Sequence, residues 1–159
     1  MRTVQEYKLR FYLNASHYVI FDGWKGSAHP HTWEICLTIQ FPRNSQRRFS
    51  DFEKKLAGVL EPFQNRLLND SEPFNSLNPT LENITEYFCD QFTKVLRKVS
   101  GELRKIEVSE SISRTFILDC SMEDHGMANE SSGPYFDTLA DSVLDVLEES
   151  IPHPNQKGG

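Results

Sequence analysis

No stretch of this chain approaches the roughly 18 consecutive apolar residues that a membrane-spanning helix requires, so a membrane-embedded protein is not expected. Cysteine is scarce: Cys36, Cys89 and Cys120 are an odd number, far apart, with no C-x-x-C pair. A disulfide framework is therefore excluded as an organising device, and reduced thiols in a cytoplasmic setting are expected. The start, MRTVQEYKLRFYL, runs into an alternating strand pattern instead of the apolar core of a signal peptide. Basic residues are scarce at the other end. Residues 120–159 hold eight acids against Lys157, a balance of −7, which leaves about +1 for the rest of a chain whose net charge is −6. A nearly neutral body with an acidic tail argues against nucleic-acid binding, which needs a basic face. Internal repeats and low-complexity tracts are also lacking.

What is present is an ordinary soluble composition over 159 residues, enough for one domain with a real core. Residues 5–20 alternate and are aromatic, which predicts a strand. Phe21 to Ala28 reads as a loop punctuated by two glycines. Trp33, Ile35, Leu37 and Ile39 alternate with Glu34, Cys36, Thr38 and Gln40, a half-buried strand. Ser50-x-x-Glu53 reads as a capping box, followed by Phe52, Leu56, Val59, Phe63 and Leu67 at helical spacing from about residue 51. Pro62 is expected to kink or end that helix. Thr80 reads as the N-cap of a second helix over about 81–99, with Ile84, Phe88, Phe92, Val95 and Val99 on one face and Gly101 as its stop. Leu103–Ser109 and Arg114–Cys120 predict two more strands about a Ser-Ile-Ser turn. The order ββααββ is an α+β arrangement: a four-stranded antiparallel sheet with two helices on one face. Residues 121–134 are polar. Phe136, Leu139, Val143 and Leu147 then predict a C-terminal helix over about 135–150, whose apolar stripe needs covering by this protein or by a partner. The division expected is a domain over 1–120 and an acidic extension over 121–159.

The chemistry-bearing residues are three histidines. His29 and His31 form a His-Pro-His step, and a step of two puts both side chains on one face of a strand. His17 lies towards the end of the preceding strand-like run, one loop away, and an antiparallel partner could bring it to the same point. Three converging imidazoles make a zinc site with an open fourth position, the arrangement of catalytic zinc. Spacing alone leaves open the alternative of loop and surface histidines.

Taken in order, five segments resemble the 6-pyruvoyltetrahydropterin synthase and 6-carboxytetrahydropterin synthase family. They are LNASH at His17, HPH at 29–31, SDFEKKL at 50–56, LNDSEPFNSLNPTLEN at 68–83 and VSES at 108–111. The resemblance covers about residues 5–120. It implies a tunnelling fold, in which subunits join sheets into a barrel, with a hexamer as the assembly. It implies Zn2+ on His17, His29 and His31. The implied ligand is a 7,8-dihydroneopterin-triphosphate-like molecule, bound by Glu110 and Thr80. A carboxylate suits the N–H edge of a 2-amino-pyrimidinone because charge-assisted bidentate pairs are strong and directional.

The chain departs from the family where protons are moved. Family members carry a cysteine four residues before the H-x-H pair, and here that position is Lys25. They carry an Asp-His pair just before the L-N-D loop, and here those positions are Gln64 and Asn65. Of the three, only Lys25 can carry a proton. Two functions follow: a zinc-dependent lyase with altered catalytic groups, or a non-catalytic family member that binds a pterin or purine-like ligand for sensing or partner interaction.

Overall fold

The computed structural model describes residues 5–43 and 48–122. The predicted helix at 135–150, and nearly all of the predicted extension over 121–159, lie outside them. Strand β1 (Glu6–His17) is followed by two short strands, β2 (Ile20–Phe21) and β3 (Trp24–Lys25), and by β4 (His29–Gln40). Helices α1 (Phe49–Leu60) and α2 (Leu81–Arg97) come next, then β5 (Glu102–Ser111) and β6 (Arg114–Asp119). The main sheet has the order β1-β4-β5-β6, antiparallel throughout, and both helices pack on one face. The ββααββ expectation therefore stands.

Alternation sets which residues meet. Leu13 and Ala15 of β1, Trp33, Ile35, Leu37 and Ile39 of β4, and Ile106 and Val108 of β5 share the inner face. Against them lie Phe52, Leu56 and Leu60 of α1 and Ile84, Phe88, Phe92 and Leu96 of α2, all buried. The 3.6-residue repeat of each helix supplies one such stripe. Fully burying each of these large side chains stabilises the fold by about 1.5–3 kcal/mol before conformational entropy is counted. Cys36, on β4 with opposite parity, is buried on the other face.

Four local expectations need correction. The first strand ends at His17 and does not run to residue 20. The loop predicted over 21–28 contains a hairpin: Ile20 pairs Lys25 and Phe21 pairs Trp24 across Asp22-Gly23. Both turn residues have positive φ, 47° and 80°, as a two-residue hairpin turn of matching twist demands. The capping box is absent. The N-cap of α1 is Arg48, with no side-chain cap, and Ser50 is the second helical residue. Phe49 is drawn into the helix by an edge contact with Tyr7 (ring centroids 5.0 Å apart) and a tilted contact with Phe52 (5.3 Å), which moves the start ahead of Ser50. Finally, α2 ends at Arg97, and the left-handed residue after it is Ser100 (φ 54°), not Gly101. Gly101 is required by space: a Cβ there would lie 2.6 Å from Cε1 of Phe41. Two expectations at helix ends hold. Pro62 sits in a 3-10 turn, Glu61–Phe63, directly after α1, and Thr80 caps α2 by accepting the Asn83 amide.

Candidate metal centre

The pairing of β1 with β4 runs unbroken from Glu6 opposite Gln40 to His17 opposite His29. Odd-numbered residues of both strands face the helices, so His17, His29 and His31 stand on the inner face, at the end of the sheet beyond Ala15 and Trp33. Their ring centroids form a near-equilateral triangle of 4.7, 4.8 and 5.1 Å. Each offers a ligand atom, all within 4.8 Å of one another. Trp33 floors the cluster, its ring 5.1 Å from both His17 and His31. His17 is buried, whereas His29 and His31 are half-buried and form the open side.

Hydrogen bonds decide which ring nitrogens are available. A carbonyl can only accept, so Nδ1–H of His17 donates to the Pro79 carbonyl (2.8 Å) and Nδ1–H of His29 donates to the Ser27 carbonyl (2.9 Å). In the neutral rings both Nε2 atoms then carry lone pairs. These atoms face each other at 3.1 Å. Burial pushes the His17 imidazole down to about 3, opposed in part by its bond to Pro79, with His29, His31 and Arg114 lowering it further. The ring is neutral at physiological pH, as a metal ligand must be. Two facing lone pairs repel unless a cation lies between them. Zn–N distances of about 2.0–2.1 Å in a tetrahedral site would set two ligand nitrogens about 3.3 Å apart, close to the 3.1 Å between the His17 and His29 nitrogens. The donor set fits zinc: three imidazoles, two oriented by backbone carbonyls as is usual for ligating histidines.

Glu110 lies on the same face. Ile35 pairs Val108, so two residues further along Glu110 stands level with Trp33. It is buried, and the β5–β6 register shifts between Ser109 and Ser111, which puts Glu110 at a bulge. Bulges re-aim side chains beside functional sites. Its Oε1 is 3.1 Å from Nη1 of Arg114, the first residue of β6. The structure thus brings together the three histidines, Trp33, the Pro79 carbonyl and, one strand away, a carboxylate paired with a guanidinium. Thr80 follows Pro79 directly, and its hydroxyl is engaged as the α2 cap.

Gln64, Asn65 and Lys25 are each engaged away from the histidines. Gln64 accepts the Asn14 amide on Oε1 (3.0 Å) and donates to the Tyr12 carbonyl through Nε2 (2.8 Å). Asn65 has a left-handed backbone (φ 57°), which asparagine tolerates, and its amide donates to the Asn14 carbonyl (2.6 Å). Lys25 is exposed on the β2–β3 hairpin, with Nζ 4.1 Å from the centroid of the Tyr18 ring, a cation–π contact.

Two site-shaping residues escaped the sequence reading. Asn69 accepts the Tyr18 amide and donates to the Tyr18 carbonyl, both at 2.9 Å. Asn78 does the same with Ile20, at 2.9 and 2.8 Å. With Gln64, three side-chain amides each mimic a neighbouring strand and fix the chain on both sides of His17. The only signal was an excess of Asn and Gln between the helices, since an amide side chain carries the donor and acceptor of a peptide group.

Such a sheet, carrying three histidines at one end and two helices over one face, defines a tunnelling-fold protein. The 6-pyruvoyl tetrahydropterin synthase family model matches residues 6–120, and the chain belongs to that family. Among solved structures it is similar to the Caenorhabditis elegans 6-pyruvoyl tetrahydropterin synthase, at 18% identity and a TM-score of 0.63, covering 74% of this chain and 96% of that one. It is also similar to a catalytic-residue mutant of the Plasmodium vivax enzyme, at 16% identity and a TM-score of 0.58, covering 74% and 98%. At these identities the likeness is one of fold. A comparison with curated protein sequences gives no match.

Proposed function

We propose that this chain binds one zinc ion through His17, His29 and His31 and, beside it, a dihydropterin of the dihydroneopterin triphosphate type. The observation that carries the reading is the pair of Nε2 atoms facing at 3.1 Å while both Nδ1 atoms are held by carbonyls. A zinc ion supplies Lewis acidity there, polarising hydroxyl oxygens of a bound side chain. The rest falls to the protein. The Pro79 and Ser27 carbonyls hold two rings in the ligating tautomer, Trp33 closes the floor, and Glu110 accepts N–H groups of the heterocycle while Arg114 steadies its carboxylate. Thr80 borders the site at the start of α2. Zinc content by elemental analysis and pterin binding by calorimetry test the reading together. About one zinc per chain and saturable binding support it, and binding that is indifferent to zinc removal contradicts it.

Glu110→Gln keeps the shape but removes the charge and one acceptor. Affinity for the dihydropterin should weaken by on the order of 1.5–3 kcal/mol, the worth of a hydrogen bond to a charged group. Unchanged affinity in calorimetry would return Glu110 to a purely structural role with Arg114.

The second reading, a non-catalytic binder used for sensing or partner interaction, is favoured by the structural commitments of Gln64 and Lys25. Both readings carry the same assembly and setting. Among the described residues, no strand pairs with the outer edge of β6 or with the edge of β1 residues 6–11 that faces away from β4. Open edges are a liability that barrel closure between copies removes. We infer a cytoplasmic homo-hexamer, and no helix among the described residues is long and apolar enough to cross a membrane. Light scattering at micromolar concentration should give the mass of six chains, and a monomer there would refute the assembly.

A further inference from the structure

Cys89 and Cys120 are 31 residues apart in sequence, yet their sulfurs lie 3.3 Å from each other. Cys89 is in the middle of α2, which packs on β5 and β6. Cys120 opens the 3-10 turn Cys120–Met122 that follows β6. Both are half-buried at the margin of the core, and the third cysteine, Cys36, is buried on the other face of the sheet. A disulfide requires about 2.05 Å between sulfurs. The remaining 1.3 Å or so is within the reach of a side-chain rotation at a turn that ends a strand. Neither thiol takes part in the metal centre.

We propose that Cys89 and Cys120 form a reversible dithiol–disulfide pair, closed by a small-molecule disulfide such as glutathione disulfide. Burial and the neighbouring Cys120 push the Cys89 thiol up to about 12, so Cys89 is a poor first nucleophile and attack starts at Cys120. The Cys120 thiolate displaces one glutathione thiolate and forms a mixed disulfide. The Cys89 sulfur then attacks the Cys120 sulfur. The second glutathione leaves as a thiolate and takes up the proton that Cys89 loses. Two protein thiols are oxidised and one glutathione disulfide is reduced to two glutathiones. The bond ties α2, which starts beside the Pro79 carbonyl that orients His17, to the end of β6, which starts at Arg114 beside Glu110. It also fixes the point from which the acidic residues 121–159 continue. The proposal is independent of zinc and pterin binding.

The test equilibrates the full chain with excess glutathione disulfide, alkylates the remaining thiols and maps tryptic peptides without reduction. Peptides 67–94 and 115–157 should appear cross-linked, while 26–43, which contains Cys36, is alkylated. The thermal midpoint should rise by about 10 °C and fall back on reduction, the shift expected when a loop of this length is closed. Cys89→Ser should stop at a glutathione adduct on Cys120. Separate alkylation of 67–94 and 115–157 in the oxidised unaltered chain would overturn the proposal. So would a stable glutathione adduct on its Cys120, or a Cys120–Cys120 link between two chains. The peptide map of the unaltered chain decides the matter whether or not the variants fold.

Discussion

Replacing His29 and His31 together by alanine should remove nearly all of the zinc, from about one ion per chain to less than roughly a tenth. The effect is large because a three-imidazole centre has no ligand to spare. His17 alone, even oriented by the Pro79 carbonyl, leaves a single nitrogen. The pair is also the right one to change. Both rings are half-buried on the open side of the cluster, so their loss leaves solvent-filled space. Truncating His17, which is only 1% exposed, would hollow the fold. Circular dichroism of the double variant should match that of the unaltered protein, which separates loss of metal from loss of structure. Full zinc retention in the double variant would place the metal elsewhere.

Formation of 6-pyruvoyl- or 6-carboxytetrahydropterin should be slower by at least the 10²–10⁴-fold that a positioned acid or base usually contributes. The expectation rests on what three residues do in this fold. Both ends of the Gln64 amide are consumed by the main chain of β1. Asn65 serves a left-handed turn of the backbone. Lys25, the one group of the three that can carry a proton, rests over the Tyr18 ring on an exposed hairpin. Binding as proposed draws on other groups, the histidines and Glu110, and should survive. Any slow turnover that depends on Lys25 should vanish in Lys25→Met with affinity unchanged. Turnover of dihydroneopterin triphosphate on the order of 1 s⁻¹ or more, an ordinary enzymatic rate, would mean that a proton-transfer group outside this set reaches the site.

The parts of this molecule that follow from periodicity could be read in advance. The two-residue step of His29 and His31 placed both on one face, and a hairpin of nearly equal arms put His17 opposite His29. The stripes of α1 and α2 and the Thr80 cap were legible for the same reason. Misreadings occurred where tertiary contacts outweighed a local signal. The Ser50–Glu53 pattern is a sound cap in isolation, but the contacts of Phe49 with Tyr7 and Phe52 carry the helix past it. Gly101 reads as a stop because glycine favours positive φ, yet Ser100 takes that conformation and Gly101 makes room for Phe41. The amide clamps of Asn69 and Asn78 and the approach of Cys89 to Cys120 depend on side chains meeting across long stretches of chain, and the Glu110–Arg114 pair depends on a bulge beside the β5–β6 turn, none of which a spacing rule encodes.

The zinc K-edge absorption spectrum of the purified full chain tests the central claim most directly, because it reports the ligands themselves. The account predicts three nitrogen scatterers from imidazole at about 2.0–2.1 Å, a light oxygen or nitrogen atom as the fourth, and no sulfur. Sulfur at about 2.3 Å, which would draw the metal to a cysteine, or a protein that takes up no zinc at all, would contradict it.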